Sequence, residues 1–180
     1  MRKPLLMMLF VSTTCLCKPM PFQVNLSKER FKFSSTHFTI FKDHQGECLH
    51  GHNYQVSVDL DFRSLAEDTG LSAEFSQVKY EVDNICKLLD EKVLLPADSP
   101  YLEITDNNKN YDVQFGVKFY SFPKVDCVLL NIVNVSSECL AKWVHQKLSK
   151  AYVSIGLESL SVTVEESSGQ AVTYFLAEDV

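Results

Sequence analysis

Three histidines, His37, His50 and His52, are the residues of this chain best spaced to share one ion. His50 and His52 stand two apart in GECLHGHNYQVSVDL (residues 46–60), a stretch that alternates like a strand, so both rings project from one face. His37 closes an earlier alternating run and falls beside them once the chain turns back. A catalytic zinc commonly takes three protein ligands and keeps one position for water or substrate. Neutral imidazoles suit it and leave its double charge intact. The plainer alternative is three ordinary strand histidines bonded to backbone groups. Glu47 and Cys48 stand just ahead of the pair, and either the carboxylate or the thiol could accept a proton there. The remaining histidines, His44 and His145, read as solvated surface residues.

The elements that carry these residues follow from periodicity. ERFKFSSTHFTI (29–40) sets Phe31, Phe33, Ser35, His37 and Thr39 on one side of a strand. A polar loop around Gly46 follows, and HNYQVSVDLDF (52–62) is a second, strongly β-prone run. The two predict an antiparallel pair joined by a loop of about ten residues, longer than a usual hairpin. Residues 76–92 predict an amphipathic helix on Val78, Val82, Ile85 and Leu89, with Ser76 as N-cap and Leu-Pro-Ala-Asp-Ser-Pro as its end. Residues 101–105 and 111–122 read as strands around a DNNKN turn, and 126–132 as a short apolar segment. A second helix, capped by Ser136 or Ser137, runs to about Tyr152 with Leu140, Val144 and Leu148 on one stripe. SLSVTVEE and AVTYFL close the chain around a Ser-Ser-Gly-Gln turn. This order predicts one α+β domain over 20–180 with an antiparallel sheet.

Composition narrows the class. The chain has 180 residues, 46% of them hydrophobic and 22% charged, which is enough to bury a core. A net charge of −6 argues against a general nucleic-acid partner, while a small anionic ligand stays open because a pocket's local field can oppose the total. Cysteines at 15, 17, 48, 86, 127 and 139 are scattered, with no CxxC pair in the folded region. That points to a thiol-bearing, cytoplasmic protein in which Cys86 and Cys139 act as small helix-borne hydrophobes. Residues 1–19 read either as a short signal-like segment or as an upstream extension ahead of Met20, so a secreted or organellar location is the alternative. Their apolar stretch is too short to span a bilayer.

FSSTH (33–37) followed by LHGHNYQV (49–56) resembles the metal-binding core of the 6-pyruvoyl- and 6-carboxy-tetrahydropterin synthases. GLSAEFSQVK (70–79), LLDE (88–91), NVSSECLA (134–141) and VTVEESSGQAVTYF (162–175) follow in the family's order, so the resemblance covers about residues 28–176. It implies a tunnelling fold: a four-stranded antiparallel sheet with two helices on one face, here with a small inserted hairpin. It also implies trimers stacking into hexamers, with a pterin pocket between subunits. Zn2+ would sit on His37, His50 and His52, and the substrate would be 7,8-dihydroneopterin triphosphate. Glu166 would anchor the pterin ring, and Ser136, Ser137 and Glu138 match the pterin-side turn and helix start. The implied activity is that of a lyase forming 6-pyruvoyl- or 6-carboxy-tetrahydropterin.

Two family positions differ. The family's catalytic cysteine stands four residues before the first histidine of His-x-His, which here is Gly46. Glu47 and Cys48 are the candidates to replace it. Asp90 matches the family aspartate, but Glu91 stands in place of its histidine, and a glutamate relays protons near neutrality only if its pKa is raised. The same pair also reads as a solvated helix end. Two functions follow: a zinc lyase using Glu47 or Cys48 with an altered Asp90/Glu91 relay, or a non-catalytic relative keeping zinc and pterin as a binding module. The retained histidines and Glu166 favour the first.

Overall fold

Nine strands and two α-helices follow one another among the described residues, and the alternation that dominates the sequence governs most of them. In the computed structural model, residues 21–42 and 45–176 are described, so the segment 1–19, Met20 and His44 lie outside the described residues. The elements are β1 (Phe22–His37), β2 (His50–Phe62), α1 (Phe75–Leu89), β3 (Lys92–Pro96), β4 (Glu103–Asn107), β5 (Asn110–Phe115) and β6 (Lys118–Pro123). β7 (Cys127–Leu130), α2 (Ser137–Ala151), β8 (Ser159–Ser167) and β9 (Gln170–Phe175) complete the fold. Among the described residues, no helix is long and apolar enough to cross a membrane.

The main sheet has the order β7-β3-β1-β2-β8-β9, six strands where four were expected. The expected antiparallel part is β1, β2, β8 and β9. The two further strands come from segments read as a helix end and as a loose apolar run. Lys92–Pro96 pairs parallel to β1 through Ser35 and Thr36, and Cys127–Leu130 pairs parallel to β3. Parallel pairing joins segments distant in sequence, and a five-residue apolar run carries no period of its own to announce it.

One irregularity decides which way His37 points. Early in β1, Val24 and Leu26 face inward, and Leu26 is opposite Val58. Between Ser27 and Lys32 the register shifts: five steps along β1 are matched by two along β2, from Ser57 to Gln55. The three extra residues form a bulge that moves the buried face from even to odd positions. Phe31, Phe33, Ser35 and His37 are therefore all buried. Along β2 the face is uninterrupted, from His52 through Tyr54, Val56, Val58 and Leu60 to Phe62.

Both helices cover that face. Val78, Val82, Ile85, Cys86 and Leu89 of α1, with Leu140, Ala141, Val144 and Leu148 of α2, join the inward residues of β1, β2 and β8 in one core. Cys86 behaves as the small hydrophobe expected, because burial pushes its thiol up to about 12. α2 is capped by Ser136, whose Oγ accepts from the Cys139 amide, and Glu138 in the first turn suits the helix dipole. For α1 the expected Ser76 cap is incorrect. The chain is already helical at Phe75, and the Glu74 carbonyl accepts from Gln77 and Val78. His145 also departs from its expected solvated position. It lies one residue beyond the Val144 stripe and four beyond Ala141, and is buried with Nε2 on the Leu160 carbonyl at 3.1 Å.

The inserted hairpin is a three-stranded meander, β4-β5-β6, with its own apolar cluster. Phe38, Ile40, Leu95, Val113 and Phe115 form that cluster's buried centre. Leu94 faces the main core and Leu95 the second, so β3 is the partition between them.

Candidate active site

The antiparallel register sets His37 directly opposite His50, and Ser35 opposite His52. The ring centroids are 4.6 Å apart for His37 and His50, 5.3 Å for His37 and His52, and 4.8 Å for His50 and His52. One ligand atom from each lies within 4.8 Å of the others, so the three predicted ligands converge on a single point.

Two of the rings are held by main-chain carbonyls. His37 Nδ1 is 2.8 Å from the Val135 carbonyl, and His50 Nδ1 is 2.8 Å from the Cys48 carbonyl. A carbonyl can only accept, so both Nδ1 atoms carry the proton and both Nε2 atoms present lone pairs inward. Burial, ahead of the neighbouring His50, lowers the His37 pKa and keeps the ring neutral at pH 7. His50 Nε2 is 3.0 Å from His52 Nε2. Glu166 Oε1 lies 3.4 Å from both His37 Nε2 and His52 Nε2. The cluster thus gathers more acceptors than protons, an arrangement that a divalent cation balances, and carbonyl-oriented imidazoles are the usual outer support of such an ion. The residues present fit a metal.

Tyr54 completes the cluster, although periodicity marked it only as a strand residue. Its buried hydroxyl is 3.0 Å from His37 Nε2 and donates to Glu166 Oε1 at 3.2 Å. Burial, reinforced by the Glu166 carboxylate, pushes the phenol far up, so it stays protonated. Its position two residues after His52 on the same face is the signal that could have singled it out.

Glu47 is held by Thr39. The Glu47 amide donates to the Thr39 carbonyl at 3.0 Å, and the Thr39 amide donates back to Glu47 Oε2 at 3.2 Å. That hydrogen bonding, with His50 nearby, holds the carboxyl below the usual carboxylate range. Oε2 is 3.8 Å from His50 Nε2. Cys48 is exposed, and its part in the site is the carbonyl on His50. At Gly46 there is no room for a side chain, since a Cβ would meet Phe115 Cε1 at 2.7 Å and the Thr39 carbonyl at 2.8 Å.

On the other side of Glu166 a cleft of about 320 Å³ is lined by Thr39, Ser136, Ser137, Glu138, Glu166 and Gln170. The four residues matched to pterin contacts therefore come together. Ser137 Oγ donates to Glu166 Oε2 at 3.4 Å, and hydrogen bonding to Ser136 lowers the Glu138 pKa. Asp90 and Glu91 are elsewhere. Asp90 Oδ1 accepts from the Ser34 amide at 2.7 Å, and the Glu91 amide donates to the Ser34 carbonyl at 2.8 Å. Glu91 turns the chain out of α1 with a left-handed φ of 56°. Together they clasp β1 just before β3 pairs with it.

A family profile for 6-pyruvoyl tetrahydropterin synthase matches residues 25–177. The 6-pyruvoyltetrahydropterin synthase of Plasmodium vivax is similar at 32% identity and a TM-score of 0.80, over 86% of this chain and 97% of its own. One of its structures is described as a catalytic-residue mutant in which a glutamate is replaced by alanine. The Plasmodium falciparum enzyme of the same name aligns over the same shares at 27% identity and a TM-score of 0.79. A Methanocaldococcus jannaschii protein, provisionally named a 6-carboxy-5,6,7,8-tetrahydropterin synthase, is 29% identical over 146 residues, 79% of this chain and 88% of that protein.

Proposed function

This chain belongs to the 6-pyruvoyl tetrahydropterin synthase family, and from that premise we propose that it is a zinc-dependent lyase. Its substrate in this reading is 7,8-dihydroneopterin triphosphate, and its product a 6-pyruvoyl- or 6-carboxy-tetrahydropterin. The observation that carries the reading is the convergence of His37, His50 and His52 with an anionic Glu47 3.8 Å from His50 Nε2.

Zinc on the three histidines would supply Lewis acidity toward a hydroxyl or carbonyl oxygen of the substrate side chain, weakening the neighbouring C–H bonds. Glu47 is the proton acceptor. Its charge is set by the hydrogen bonds with Thr39, and it stands at the rim of the histidine group. Cys48 is the weaker candidate, because its side chain is exposed and it meets His50 through the main-chain carbonyl rather than the thiol. The catalytic glutamate named for the Plasmodium vivax enzyme supports the same choice of residue type.

Glu166 takes the pterin ring from the cleft side. Its Oε2, steadied by Ser137, can accept from the 2-amino-pyrimidinone edge, while Oε1 stays engaged with Tyr54. Ser136 and Glu138 line the same cleft. Asp90 and Glu91 meet none of these groups within one chain, so their carboxylates join the reaction only from a neighbouring subunit. That accords with a pocket between subunits and with trimers stacking into hexamers.

The test is to incubate zinc-loaded protein with 7,8-dihydroneopterin triphosphate, following inorganic triphosphate and the pterin absorption spectrum. Triphosphate release together with a new pterin chromophore, both abolished by chelator, is expected. Zinc and pterin binding without turnover would leave a binding module instead.

A further inference from the structure

In the connector between β1 and β2, the described residues 38–42 and 45–49 fold back on themselves, with the Phe41 amide on the Gln45 carbonyl and the Gln45 amide on the Lys42 carbonyl. Ile40 and Gly46 form an isolated bridge, and Asn134 pins Ile40 by accepting from its amide and donating to its carbonyl, each at 3.0 Å. Glu47 adds the exchange with Thr39. What remains is the far side of residues 46 and 47, and there the meander meets them. Lys118 Nζ donates to the Glu47 carbonyl at 2.8 Å and reaches the Gly46 carbonyl at 3.5 Å. Gly46 itself packs against the Phe115 ring, close enough that a Cβ would meet Cε1 at 2.7 Å.

Phe115 and Lys118 reach this place together because of the turn between them. They are the last residue of β5 and the first of β6, paired across a two-residue turn in which Gly116 has a φ of 55°. Residues directly opposite one another in such a hairpin share a face. Phe115 is buried and stacked on Phe38 with centroids 5.6 Å apart, and Tyr120 stacks on Phe38 at the same separation. Lys118 is half-buried, and its ammonium lies 5.9 Å from the Phe115 centroid. A cation donating to main-chain carbonyls makes a charge-assisted bond, stronger than a neutral one. The aromatic stack supplies the rigid backing.

We propose that the β4–β6 meander is the positioning device for Glu47, with Lys118 as the residue that holds the connector and Phe115 as the surface it is pressed against. This rests on reading Glu47 as the proton acceptor. Lys118 touches no reacting atom. It fixes the main chain from which the Glu47 carboxylate reaches the rim of the histidine group, where a misplacement of about 1 Å can cost about a hundredfold in rate.

Lys118→Met tests this, with Lys118→Arg as the conservative variant and Lys124→Met, which removes an ion pair to Asp106 of β4 from just beyond β6, as control. Hydrogen–deuterium exchange of the peptide spanning residues 45–49 should quicken by about tenfold or more in Lys118→Met, as local opening becomes easier. Zinc content should be unchanged. kcat should fall by about 10- to 100-fold with KM within about twofold, and Lys118→Arg should recover part of both losses. Gly46→Ala should give the same signature by lifting the connector off the ring. Unaltered exchange and kcat in Lys118→Met would overturn the proposal, as would loss of zinc in step with kcat. Faster exchange in a protein whose wild type shows no turnover would uphold the anchoring and overturn the lyase reading instead.

Discussion

His37, His50 and His52 ride on two paired strands of the main sheet, whereas Glu47 rides on a connector that borrows its support from a separate one. The histidines are brought to one face by the pairing of two neighbouring strands. Strand alternation and the pairing of His37 with His50 bring the rings to one face, and the carbonyls of Val135 and Cys48 then fix two of them. Glu47 depends on Thr39, on Gly46 lying against Phe115, and on Lys118 of the meander, 71 residues further along the chain. In the proposed reading, the histidine site for an ion can therefore be complete while Glu47 beside it is misplaced. The two parts should fail separately.

The largest effect should come from the strand-borne part. His50→Ala should abolish stoichiometric zinc and lower turnover by about a thousandfold or more, since the ion supplies several kcal/mol of charge stabilisation. Zinc content by atomic absorption, measured beside kcat, checks it; full zinc occupancy in the variant would remove His50 from the ligand set. Glu47→Gln should lower kcat by about 10²- to 10⁴-fold while keeping zinc, the range expected for losing one general base. Cys48→Ser should stay within about twofold of wild type on the same scale. The reverse ranking of those two variants would hand the base role to the thiol.

What the sequence made legible follows the same division. Alternation located β2 and the second half of β1, read as 29–40 where the strand runs Phe22–His37, and with them the three histidines, because the period of two is carried by adjacent residues. The motifs around Ser136 and Glu166 led to the cleft where these residues meet. The bulge at 28–31 was not legible: the inward residues before it are sparse, and parity is only visible once the register with β2 is known. β3 was hidden for a related reason, since its five residues follow a helix and pair with strands that are not their sequence neighbours. The absence of a side chain at Gly46 looked like a lost catalytic position. In space it is a contact with Phe115, which no local pattern announces.

Tyr54 sharpens the comparison from inside the strand-borne part. Its hydroxyl donates to Glu166 Oε1 and lies 3.0 Å from His37 Nε2 in a buried setting, so removing it would free the carboxylate proposed for the pterin ring and change the surroundings of a proposed zinc ligand. Tyr54→Phe should keep the fold and cost about 10- to 100-fold in zinc affinity or turnover, the range seen when a polar group packed around a metal site is lost. Competition for zinc with a chromogenic chelator measures the first. An unchanged zinc affinity with unchanged kcat would reduce Tyr54 to a core residue.

The smallest effect belongs to His145, which separates stability from chemistry because it lies in the main core and meets none of the metal ligands. Burial lowers its pKa, against a smaller upward pull from the Leu160 carbonyl. Its surroundings are the Tyr174 ring, Ser149 Oγ at 3.3 Å from Nδ1, and a cleft shared with Glu158, which Arg63 engages. Above the ordinary histidine value of about 6.5 the folded and unfolded chains are both neutral here, and pH has no leverage through this residue. Below it the unfolded chain takes up a proton that the buried ring refuses, so stability falls as pH falls toward the depressed folded value. The slope from one such group is at most about 1.4 kcal/mol per pH unit. His145→Gln can still donate to Leu160 but cannot titrate. Urea midpoints of zinc-loaded wild type and variant should therefore converge as pH drops from 7.5 to 5.5, the wild type losing more. Parallel curves would mean that His145 is protonated as readily inside the core as outside it, and that the core around α2 admits water.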